Sequence, residues 1–94
     1  MTTLDHLALK IINEQALVIG PLAWSEAGRV QGLHIDQQLR EVSIENGDPK
    51  AVVDRLVAQY ERLFGRASHE VCREAAAPLL RDFVQSDVPS SLRA

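Results

Sequence analysis

The chain has 94 residues, 46% of them apolar, with four aromatic side chains (Trp24, Tyr60, Phe64 and Phe83) and a net charge of −3. This length makes one domain near the lower end of what buries its own core, and the scarcity of aromatics means that core is aliphatic. The acidic surplus lies in the first half and the second half is balanced, so neither half offers the basic footprint of a nucleic-acid or polybasic membrane binder. The single cysteine, Cys72, excludes an internal disulfide and fits a reducing cytosol. The start, "MTTLDHLALK", has neither a basic n-region nor a continuous apolar h-region. The most apolar run, Ala16 to Trp24, is far shorter than the ~20 residues of a membrane span. These features predict a cytoplasmic protein.

Leu4, Leu7, Ala8, Ile11, Ile12 and Gln15 recur at steps of three and four, one face of a first helix that runs on through Val18 and Ile19. Thr2 or Thr3 can cap it, and Asp5 suits its first turn. Gly20-Pro21 then interrupts the apolar run. Glycine fits just past a helix end, where positive φ is often needed, and proline fits a first turn, where its missing N–H costs nothing. The pair therefore predicts a corner between two helices, the alternative being a proline kink in one long helix. The second helix is expected over Pro21 to Gln31, with Leu22, Ala23, Ala27 and Val30 inward and Gly32 as its stop. Apolar residues on both sides of the break predict a buried corner.

The segment "GLHIDQQLREVSIENGD" has two readings. As a helix, Asp36 caps it, Ile35, Leu39 and Val42 line one side, and Asn46-Gly47 closes it. As a strand, "EVSIE" alternates with Val42 and Ile44 inward. Gln-Gln-Leu-Arg-Glu tips the balance to helix. The next helix is marked by Asp48 as cap and Pro49 at its first position. Val52, Val53, Leu56, Val57, Tyr60, Leu63 and Phe64 form its stripe, Arg55, Gln59 and Arg62 lie opposite, and Gly65 ends it. A last helix begins near Ala67 or Ser68, with Val71, Cys72, Ala75, Leu79 and Phe83 on its buried side. Pro78 within it predicts a bend, or else a break near Ala77. The fold expected is all-α, a compact bundle of four to five helices over residues 1–84, with a short strand over 40–45 as the alternative there. Residues 85–94 read as a loose C-terminal tail.

Little of the chain carries chemistry. His69, Glu70 and Cys72 are the one cluster of catalytic or ligating side chains, and positions 69 and 72 share a helix face. A zinc site would need two more ligands, and His6 and His34 sit in unrelated segments. A cysteine nucleophile would need a base and an orienting group. Cys72 therefore reads as a small buried hydrophobe and His69 as a surface residue. Trp24, with Glu26 and Arg29, either lines a small-molecule pocket or anchors the packing of the first two helices. Glu41, Glu45 and Asp48 form a mild acidic patch without metal-loop spacing, and the scattered glycines make no phosphate loop. No catalytic residue, metal or cofactor is expected.

"IGPLAWSEAGRV", followed by Asp36, Leu39 and Asp48-Pro49, resembles a small helical module found at the ends of some bacterial regulatory and signalling proteins. Ile19, Gly20, Pro21 and Ala23 match that module's corner, and the likeness spans about residues 16–56. The chain departs from it in carrying Glu26 and only Arg29 where the module has basic residues. The resemblance implies an accessory or interaction role and no catalysis. "EVSIE", the helix after it, Gly65-Arg66 with Ser68, and the run at 72–75 are similar in outline to ribbon-helix-helix repressors. In that family a strand reads the major groove; here Glu41, Ser43 and Glu45 would face the DNA, and carboxylates oppose phosphate. The leading expectation is thus a non-enzymatic interaction module of a bacterial cytosolic protein, bound to a protein partner or a second copy. Trp24, Leu79, Leu80 and Phe83 are its candidate contact residues. The alternatives are a DNA-binding regulator and a small-molecule-binding or thiol-based enzyme.

Overall fold

The structure, a computed structural model, describes residues 3–45 and 47–93. Helix α1 spans Thr3–Ile19 and buries Leu7, Ala8, Ile11, Ile12 and Gln15, the face its spacing predicts. Gly20 ends it at φ +70°, its N–H bonded to the Ala16 carbonyl at 2.9 Å. Pro21 precedes α2, Leu22–Ala27. Gly20-Pro21 is therefore a junction between helices and not a kink. Thr2 and Asn46, expected at a cap and a helix end, lie outside the described residues.

Three expectations around this corner need correction. The corner is not buried: Leu17 is 81%, Val18 64% and Leu22 44% exposed. Only the α1 face that meets α2, α3, α4 and the hairpin is covered, so the apolar run overshoots its packing partners. Helix α2 stops at Ala27 and not at Gln31. Beyond it the N–H groups of Arg29 and Val30 bond three residues back, to Glu26 and Ala27, and the tightened turns bring Val30 into the core. Gly32 does not stop a helix; its φ of +92° turns the chain into a strand.

The segment that propensity assigns to a helix is a β-hairpin. Strand β1, Leu33–Asp36, pairs antiparallel with β2, Glu41–Ile44, with Leu33 opposite Ile44 and Asp36 opposite Glu41. The fold is thus mostly helical, with a two-stranded sheet in place of a purely helical bundle. Asp36 does cap a turn, but the hairpin's: its Oδ1 accepts the Leu39 N–H at 3.1 Å. Arg40 closes the loop at φ +54°, the one positive-φ residue other than glycine among those described. The hairpin seats on α1 through Asp5, whose buried carboxylate accepts the Ile44 N–H at 3.0 Å.

Helix α3, Pro49–Phe64, begins as its sequence predicts, with the Asp48 side chain accepting the Lys50 N–H at 3.1 Å. Val52, Val53, Leu56, Val57 and Tyr60 are buried, whereas Leu63 is 42% exposed. Gly65, at φ +86°, is the whole connection to α4, Arg66–Leu80. Helix α4 packs along both α1 and α3. It does not break at Ala77: it passes Pro78, which faces solvent, and runs on to Leu80. A proline near a helix end loses one backbone bond at a point where few would follow.

The segment expected as a loose tail is packed. Two 3-10 turns, Gln85–Asp87 and Ser90–Leu92, form a strap whose Val88, Pro89 and Leu92 are buried. Its second turn lies on α3 and α4. The chain is compact, with a radius of gyration of 11.8 Å.

Candidate interaction surface

The polar interior explains what the thiol and imidazole do. Cys72 is buried beneath α1, where Gln15 Nε2 donates to the Ser68 carbonyl at 2.8 Å and touches Cys72 Sγ at 3.2 Å. Burial is the main cause pushing the thiol up to about 11, with Glu61 adding to it and the Gln15 hydrogen bond opposing it. Such a thiol stays protonated at neutral pH and is a poor nucleophile. His69 does not meet it. The ring is half-buried, with Nδ1 3.2 Å from Glu61 Oε2 and Nε2 2.6 Å from the Ser91 carbonyl. His6 and His34 are exposed on other elements. Among the described residues no group of three or more His, Cys, Asp or Glu is placed to hold a metal ion.

Trp24 takes the packing role. It is 4% exposed in the main core, its ring covered by the Arg40 guanidinium at 5.0 Å. A buried indole offers no contact area to a partner, so its expected place among the contact residues is corrected. Glu26 accepts from Gln59 at 2.8 Å and Arg29 lies in solvent, so neither builds a pocket with it. Nearby, the buried Tyr60 hydroxyl donates to the Ala23 carbonyl at 2.7 Å, tying α3 to α2. Desolvation holds that phenol protonated well above its usual range.

Leu79 is 38% exposed. Leu80 and Phe83 are partly buried against the core and line a groove with Val88 and Leu92 of the strap. Their apolar surface is thus shared with the segment expected to be free.

An exposed apolar patch lies instead between α1 and α4. Leu17 and Val18 stand at the C-terminal end of α1, beside Val71, Ala75 and Pro78 of α4, around an open groove of about 360 Å³. The Lys10–Glu14 ion pair, 2.9 Å, borders it. Sequence reasoning misses this groove because an apolar run next to a helix corner reads as core; its one usable signal was the excess of apolar residues over one helical stripe. Among the described residues no helix is long and apolar enough to cross a membrane. Compared with protein-family models, curated proteins and solved structures, the chain matches none.

Proposed function

We propose that this chain is a non-enzymatic helical interaction module, an accessory part of a bacterial cytosolic system, which binds a protein partner through the α1–α4 groove. The carrying observation is the exposure of Leu17 (81%) and Val18 (64%) beside Val71, Ala75 and Pro78. Clustered apolar side chains in water mark a surface that another chain covers, and a groove between two helices suits an amphipathic helix. A non-catalytic role is supported by the protonated Cys72 thiol and by the engagement of His69 away from it. The acidic chain and the exposed Glu41 and Glu45 disfavour a nucleic-acid partner.

The test is affinity capture from native cells with the parent chain and with a Leu17→Asp, Val18→Asp double variant. Both side chains are exposed, so the variant should keep its melting temperature and lose the captured partner. A partner retained at parental level removes the groove from consideration. A duplex titration at low salt gives an independent check: salt-dependent binding at about micromolar strength would replace this reading with the repressor one.

A further inference from the structure

The surface of α3 and α4 on which the strap's second turn lies is a built receptor for a short segment. One carboxylate, Asp54 on α3, accepts four hydrogen bonds from two consecutive serines. Its Oδ2 takes the Ser90 N–H at 3.3 Å and the Ser90 hydroxyl at 2.9 Å. Its Oδ1 takes the Ser91 N–H at 2.9 Å and the Ser91 hydroxyl at 2.5 Å. On the α4 side His69 Nε2 meets the Ser91 carbonyl at 2.6 Å, with Glu61 behind the ring. Val88, Pro89 and Leu92 fill the apolar floor between these polar anchors. This set holds the Val88–Leu92 segment by its backbone, its two hydroxyls and its three apolar side chains together.

What joins this segment to α4 is weakly held. Arg81, Asp82 and Val84 to Asp87 are exposed, and Phe83 alone in that stretch is partly buried. The contact tying the stretch down at its far end is Lys50 Nζ on the Ser86 carbonyl, at 2.7 Å. A well-anchored end on an exposed connection is the condition under which an identical segment from another molecule can take the same place.

We propose that the Asp54–His69 receptor accepts the Val88–Leu92 strap of a second copy of this chain as well as its own, so that copies associate by exchanging straps. In a single parental chain the tether keeps the strap's effective concentration high, roughly millimolar, and closure in cis prevails. Exchange becomes visible when closure in cis is disabled in two complementary ways. A chain with Asp54→Asn and His69→Ala has a damaged receptor and an intact strap. A chain with Leu92→Asp has an intact receptor and a damaged strap.

Each variant alone, shown by circular dichroism to keep its helices, should have a monomer's mass by light scattering. An equimolar mixture at roughly millimolar chain should show twice that mass. If Leu92→Asp prevents folding, a Ser90→Pro, Ser91→Pro chain takes its place, since it loses all four donors to Asp54, backbone and hydroxyl, and changes no residue of the helices. A mixture that stays at monomer mass overturns the proposal: the receptor then serves only its own strap. A doubled mass in either variant alone also overturns it, because association would then need no complementary receptor and would run through another face, such as the α1–α4 groove.

Discussion

Gln15 and Ser68 hold α1 and α4 together by a reciprocal pair of hydrogen bonds. The Gln15 amide donates to the Ser68 carbonyl at 2.8 Å, and the Ser68 hydroxyl donates back to Gln15 Oε1 at 3.4 Å. The Gln15 side chain is fully buried and Ser68 is 5% exposed. In that setting an amide is tolerated only because each of its ends is paired.

Gln15→Ala should therefore destabilise the fold by roughly 1–3 kcal/mol, through the lost hydrogen bonds and the void they leave. Thermal melting would read this as a fall of at least roughly 4 °C. Gln15→Leu, which keeps the volume, should cost less. Gln15→Glu should cost most, because it asks a charge to sit where only a neutral amide is matched.

Gly20 adopts φ +70°, and an added Cβ there would meet no neighbouring atom. The penalty for a side chain is thus purely one of backbone conformation. Gly20→Val should cost about 1–2 kcal/mol. Pro21→Ala should change the melting temperature little, since the Pro21 carbonyl that bonds Trp24 and Ser25 is kept. Equal effects at the two positions would contradict this account of the corner.

Alkaline stability should report the buried thiol. Its folded value is raised from 9.0 to about 11, chiefly by burial. Its contribution is therefore fully present below about 9 and is lost as pH climbs toward about 11, where the unfolded thiol has ionised and the folded one has not. The protonated Tyr60 phenol acts in the same direction at higher pH. Denaturant midpoints measured up this range should fall, and Cys72→Ala should flatten the lower part of the fall. Alkylation of Cys72 in the native protein should be slow and should speed up with denaturant.

Phe83 is only partly buried, in a groove it shares with the strap. Phe83→Ala should cost about 1–2 kcal/mol, below the 3–5 typical of a fully buried aromatic. An unchanged melting temperature would mean that residues 81–84 carry none of the core's stability.

The helices were legible where local chemistry speaks for itself. Asp48-Pro49 starts α3, Gly65 closes it, and the α1 face from Leu7 to Gln15 follows from spacing alone. The second strand was present as the alternative over 40–45, but its partner β1 and the loop were hidden, because Gln37, Gln38, Leu39 and Arg40 have helical propensity and the loop's positive-φ position is filled by Arg40 where a glycine or asparagine would have signalled a turn. The strap was hidden for another reason. Its serines look like tail residues until Asp54 and His69, more than twenty positions away in sequence, are seen beside them. The α1–α4 groove fell between the two: Leu17 and Val18, beside the corner, were read correctly as apolar and wrongly as covered.

Trp24 is the chain's single indole, and the guanidinium over it comes from the hairpin loop. Nature has in effect placed one fluorophore under one flap. If the hairpin lifts while the helices stay formed, water reaches the ring and its emission moves to the red before far-ultraviolet dichroism changes. If the two signals move together, hairpin and helices melt as one cooperative unit. The order of loss between the smallest element and the rest can thus be followed with no label attached.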